Sequence, residues 1–178
     1  DYFRSNGMTF KQVTFGSMGE AQKAYDSGRC DVFSTDKFGL GARRIAMTKP
    51  DDHVILPETI SNEPISPMVA HGDDNWRDLV TWVFNAIITA EELGVTSKNV
   101  DQMRSGSKNP FVQRLLGKTG NFAEKIGLTN DWAYNAVKAV GNYDEIWQRN
   151  LGTNGLGMAR GVNKLWTNGG ILIAPPFR

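Results

Sequence analysis

From Asp74 onward, apolar residues recur at spacings of three and four: Trp76, Leu79, Val80, Val83, Phe84, Ile87 and Ile88, with Gly94 as a stop. On a helix these positions form one broad apolar face. Burying each such side chain is worth roughly 1.5–3 kcal/mol relative to leaving it in water. The chain must therefore cover this face with a sheet or with other helices. The most apolar part, residues 79–90, is shorter than the roughly 18 apolar residues of a membrane helix, and it carries Thr81, Asn85 and Thr89. It reads as a core helix. Glu91 and Glu92 close it, pointing about 100° apart, which suits a solvated face better than a paired-carboxylate site.

The first third of the chain has a different rhythm. Residues 8–15, MTFKQVTF, are β-branched and aromatic, and predict a strand. Ser17 with Glu20 three residues on is a capping-box signature, helical spacing follows at Met18, Ala21, Ala24 and Tyr25, and Gly28 is a helix stop. The short apolar run CDVFS predicts a buried parallel strand, with Thr35 or Asp36 capping a helix that runs to about Met47. Residues 49–52 are a turn containing Pro50, so the adjacent Asp51, Asp52 and His53 read as turn residues rather than a catalytic group. HVILP predicts a further strand. Strand, helix, strand, helix, strand is a βαβ series, and implies an α/β unit with parallel pairing.

Residues 57–67, PETISNEPISP, hold three prolines and no helical period, so they predict an extended connection between two lobes. PMVAHG predicts another strand. Residues 96–161 switch to short helical patterns separated by glycine: SKNVDQMRSG, PFVQRLLG, FAEKIGL, DWAYNAVKAVG and NYDEIWQRNLG. The tail VNKLWTNGGILIAPPFR predicts one helical turn, a Gly-Gly break, a short strand and a proline stop.

Composition narrows the function class. The 178 residues carry 20 basic and 19 acidic side chains and no basic run, so no nucleic-acid footprint is present. The two histidines, His53 and His71, have no Cys/His cluster near them, so a structural zinc site is not expected. No G-x-S-x-G, H-E-x-x-H or P-loop pattern occurs. The single cysteine, Cys30, is either a small buried hydrophobe or half of a disulfide whose partner lies upstream. The opening DYFRSNG reads as the tail of a helix with its Asn6-Gly7 cap, without an initiator Met. It suggests a piece of a longer chain, or a native protein trimmed to its ordered part.

Asp36 stands where the CDVFS strand is expected to end. It could be a helix cap. It could also be a carboxylate awaiting a ligand cation, since ligands of parallel α/β sheets bind beyond the carboxyl ends of strands. An incoming ammonium would supply charge-assisted hydrogen bonds. Both roles are compatible if Thr35 caps and Asp36 reaches a cleft.

GRCDVFSTD resembles the G-R-x-D-x-x-x-x-D signature in the second lobe of periplasmic amino-acid-binding proteins of ABC importers. DYFRSNGM, GEAQKAYDSGRCDVFSTD, PDDHVILPETISNEPISPMVAHGDDNW, AEELGVTS and LWTNGGILIAPPFR, in that order, resemble the general L-amino-acid-binding group of that family. The resemblance implies a periplasmic-binding-protein-like, type II, α/β fold of two lobes that close on one amino acid. It implies a partial second lobe over residues 1–57, a hinge crossing over 58–67, and the C-terminal part of the first lobe with a helical extension over 68–178. Much of lobe one and the start of lobe two would lie outside this chain, including a first-lobe arginine for the ligand carboxylate and a cysteine to pair with Cys30.

By matching position, Asp36 would receive the ligand α-ammonium and Thr35 would line the pocket. The expected function is capture of L-amino acids in the periplasm for ATP-driven import. The protein would be a non-catalytic monomer without metal or cofactor, made as a precursor with a signal peptide. Its partners would be the amino acid, an inner-membrane permease and the rest of its own chain. Alternatives are a sensing protein that feeds a membrane receptor, or the binding lobe of a cell-wall enzyme.

Overall fold

A computed structural model describes residues 1–177. The chain divides into two compact units, Asp1–Ser66 and Pro67–Arg178.

The first unit begins with α1 (Tyr2–Ser5), ended by Asn6 and by Gly7 at φ 65°. The Met8 N–H donates to the Phe3 carbonyl at 2.8 Å, as a glycine-terminated helix end does. Helix α2 (Met18–Asp26) starts at Ser17, whose side chain accepts from the Glu20 N–H. The reciprocal Glu20 contact goes to the Gly16 N–H, so the expected capping box is displaced by one residue. Gly28, at φ 76°, ends α2, with the Arg29 N–H on the Ala24 carbonyl. Helix α3 (Lys37–Arg44) starts at Asp36, and a 3-10 turn covers Pro50–Asp52.

Side chains tie these pieces together. Arg43 donates to Gln22 at 2.9 Å, and the Thr48 hydroxyl donates to Asp26 at 2.7 Å. Tyr25 stacks on Phe33, with centroids 5.9 Å apart, and its hydroxyl lies 3.0 Å from His53 Nδ1. His53 thus folds back on α2 beyond its turn.

The strands expected in this unit do not form. Residues 8–15, 30–34 and 53–57, and also 67–72 of the second unit, have no ladder partners among the described residues, where the isolated parallel bridge Leu165–Leu172 is the recorded β contact. The α/β sheet is therefore not seen, and the strand expected in the tail reduces to that bridge. The physical reason is non-local. Side-chain pattern makes a backbone extended, but a strand exists only through a neighbour's N–H and C=O groups. Several apolar residues of these segments stay uncovered: Phe10 is 45% exposed, Val32 66% and Val54 78%.

The second unit is helical and well packed. Helix α4 (Asp74–Glu92) is capped by Asp73, whose carboxylate accepts from the Trp76 N–H at 3.0 Å. Around it stand α5 (Val100–Gly106), α6 (Pro110–Leu115), α7 (Phe122–Lys125), α8 (Trp132–Val140) and α9 (Tyr143–Asn150). Helices α6, α8 and α9 pack on α4. Ala86, Ala90 and Ala133 share one cluster with Val95, Leu116 and Val137. Small residues on α4 and α8 allow close helix approach, a feature the large-residue pattern does not display. The stripe read from the sequence is buried only at its C-terminal end, through Ile87 and Ile88, whereas Trp76 is 51% exposed.

Phe177 closes the core. Its ring lies 5.3 Å from Trp82, 5.6 Å from Phe122 and 5.9 Å from Trp132, and Arg114 donates to its carbonyl at 2.8 Å.

Glu91 is not on a solvated face. Its side chain and that of Arg160 are each 10% exposed, and the two are paired. Arg160 also bonds Asp144 at 3.0 Å and the Asn163 carbonyl at 2.9 and 2.7 Å. Burial would by itself favour loss of the Arg160 proton, but the Glu91 and Asp144 carboxylates outweigh it and hold the guanidinium charged more firmly than usual. Burial pushes the neighbouring Tyr143 hydroxyl up.

Candidate functional site

The segment ending at Ser34 turns into α3 through Thr35 and Asp36. Asp36, with φ −57° and ψ 149°, is the N-cap. Its Oδ1 accepts the Gly39 N–H at 2.7 Å, and its Oδ2 accepts the Thr35 hydroxyl at 3.3 Å. The cap therefore comes from Asp36 and not from Thr35, which instead steadies the acid. Asp36 is exposed and Thr35 half-buried. Among the described residues no lysine, arginine or histidine forms an ion pair with Asp36.

An ionised carboxylate offers about four lone-pair positions. Two are engaged, both by neutral donors. The remainder face no cation of the described chain, so a charged donor from outside can use them. The next residue, Lys37, sends its Nζ to the Pro57 carbonyl at 3.3 Å, which links the start of α3 to the start of the proline-rich connection. Cys30 is half-buried, with its thiol free.

A hollow of about 240 Å³ in the second unit is lined by Asn75, Asp78, Lys125, Ile126 and Gly127. No group of three or more His, Cys, Asp or Glu among the described residues is arranged to hold a metal. Among the described residues no helix is long and apolar enough to cross a membrane. Two features of this geometry escaped the sequence reading. Gly39 is the donor to Asp36, legible only as a glycine three residues after a cap. The Glu91–Arg160 pair joins residues too far apart for any local pattern.

Comparison with known proteins places the chain. The general L-amino acid-binding periplasmic protein of Rhizobium johnstonii is 49% identical over 181 residues, covering 100% of this chain and 53% of that protein. The glutamate/glutamine/aspartate/asparagine-binding protein of Rhodobacter capsulatus is 45% identical over 179 residues, again 100% of this chain and 53% of that one. A solved ABC transporter periplasmic binding protein from Brucella ovis, with glutathione bound, superposes with a TM-score of 0.90 at 46% identity, covering 99% of this chain and 56% of the other. No family model matches.

The fold is that of the matching part of a periplasmic binding protein. The relatives it matches are named as amino-acid-binding periplasmic proteins, and the solved neighbour as an ABC transporter periplasmic binding protein. It spans about half the length of the curated relatives it matches.

Proposed function

We propose that this chain is part of a periplasmic solute-binding protein that captures L-amino acids and presents them to the permease of an ATP-driven importer. Asp36 receives the ligand α-ammonium, and Thr35 lines the same pocket and orients the acid. The observation that carries this reading is the Asp36 carboxylate itself: exposed, held by two neutral donors, and unpaired with any cation among the described residues. The relatives are named for binding amino acids, and the Brucella neighbour holds glutathione. Glutathione and free L-amino acids share an α-ammonium beside an α-carboxylate, which is the head group a lone aspartate would read.

The rest of the molecule would complete the site. Residues 1–57 form part of one lobe and 68–178 part of the other, with 58–67 as the hinge crossing of a type II two-lobe fold. The extended segments 8–15, 30–34 and 53–57 would become strands of an α/β sheet by pairing with strands outside this chain. Their exposed apolar side chains support this, as does the greater length of the relatives. Cys30 would bond to a cysteine there. The complete protein would act as a monomer, with a signal peptide on its precursor.

Calorimetry on the protein expressed from its complete gene, with a panel of L-amino acids and glutathione, tests the reading. Asp36→Ala should cut affinity by about 10- to 100-fold, the worth of one charged hydrogen bond. A pure helix cap would lose only stability, about 0.5–2 kcal/mol, with affinity intact. That second result would sink the assignment.

A further inference from the structure

Gly39 sits inside the first turn of α3, where glycine weakens a helix relative to alanine. Its backbone does not require glycine, because its φ is not among the positive ones. The room at this position is taken up by a side chain instead. A Cβ at position 39 would lie 2.6 Å from Asp36 Oδ2, and 3.2 Å from both Cγ and Oδ1. All three of its nearest neighbours thus belong to the Asp36 carboxylate. The acid lies across the room that any side chain at 39 would fill, and there it takes the Gly39 N–H at 2.7 Å.

We infer that Gly39 is a positioning residue for ligand binding: its missing side chain is the seat of the Asp36 carboxylate. This rests on the reading that Asp36 receives the ligand ammonium. With any other residue at 39, the carboxylate must swing aside. It can do so, being the free end of a short side chain, so the backbone and the helix survive. What is lost is the acid's aim. The Thr35 hydroxyl at 3.3 Å steadies the acid but does not replace the shorter Gly39 N–H bond.

The test is a double-mutant cycle in the protein from its complete gene, with the tightest-binding L-amino acid of the panel as probe. Affinity is read by calorimetry, or by NMR titration where it is weak. Gly39→Ala alone should weaken binding roughly 10- to 100-fold. In an Asp36→Ala background, which has no carboxylate to displace, it should change affinity less than about twofold. The melting temperature of Gly39→Ala should stay within a few degrees of the parent.

Equal losses in both backgrounds would show that Gly39 acts otherwise than through Asp36, and would overturn the inference. So would near-parental affinity of Gly39→Ala while Asp36→Ala binds poorly, an outcome that leaves the role of Asp36 intact. Parental affinity of Asp36→Ala would remove both. Should Gly39→Ala not fold, Asp36→Glu makes the same displacement from the acid's side. It must then lose affinity to a similar degree, and unchanged binding would refute the seat.

Discussion

Arg160→Met should unfold the second unit far more readily than any surface change. The guanidinium is the partner of Glu91, and both side chains are 10% exposed. Removing it strands a carboxylate whose Oε2 is already buried without a hydrogen-bond partner among the described residues. Breaking one side of a buried pair costs about 3–5 kcal/mol. Asp144, 44% exposed, adds little because water screens it. Lost bonds to the Asn163 carbonyl are part of the same figure. For a chain of this size the expected fall in Tm is about 6–20 °C.

The assay is urea unfolding followed by tryptophan fluorescence, since Trp76, Trp82, Trp132, Trp147 and Trp166 all lie in the second unit. Glu91→Leu combined with Arg160→Met removes the stranded charge, and should cost less than Arg160→Met alone. A loss below about 1 kcal/mol for Arg160→Met would refute the reasoning. A double variant whose cost equals the sum of the singles would refute it too.

Two further outcomes follow from the packing. Glu145 feels burial that raises its pKa, but hydrogen bonds from Ser97 and Asn142 outweigh this and hold it below the usual carboxylate range. A depressed folded-state pKa means that the unfolded chain binds more protons. The associated stability is present above about pH 4.5 and is lost as pH falls through the lowered value. Glu145→Gln should flatten that acid limb in a melting series from pH 3 to 7, and an unchanged limb would contradict the account. At Gly117, φ is 72° and an added Cβ would lie 1.8 Å from the Asn130 carbonyl oxygen. Gly117→Ala should therefore cost about 3 kcal/mol or more, and a parental urea midpoint would contradict the clash.

Local patterns in the sequence determined the helices and their ends. Ser17, Asp36 and Asp73 cap helices through the N–H three residues on, and Gly28 and Gly94 stop them at φ 76° and 66°. Each of those bonds closes within five residues, so spacing alone predicts it. The glycine-separated helices of residues 100–150 were legible for the same reason. So was kinship to amino-acid-binding periplasmic proteins, carried by segments in a characteristic order. Tertiary structure alone decided the rest. It buried Glu91 against an arginine 69 residues away, and set the Phe177 carbonyl on Arg114, 63 residues back. It left the extended segments without strand partners, and laid the Asp36 carboxylate over Gly39. Periodicity and cap chemistry report only what a residue asks of its near neighbours. Burial, charge pairing and sheet ladders depend on what distant chain brings into contact.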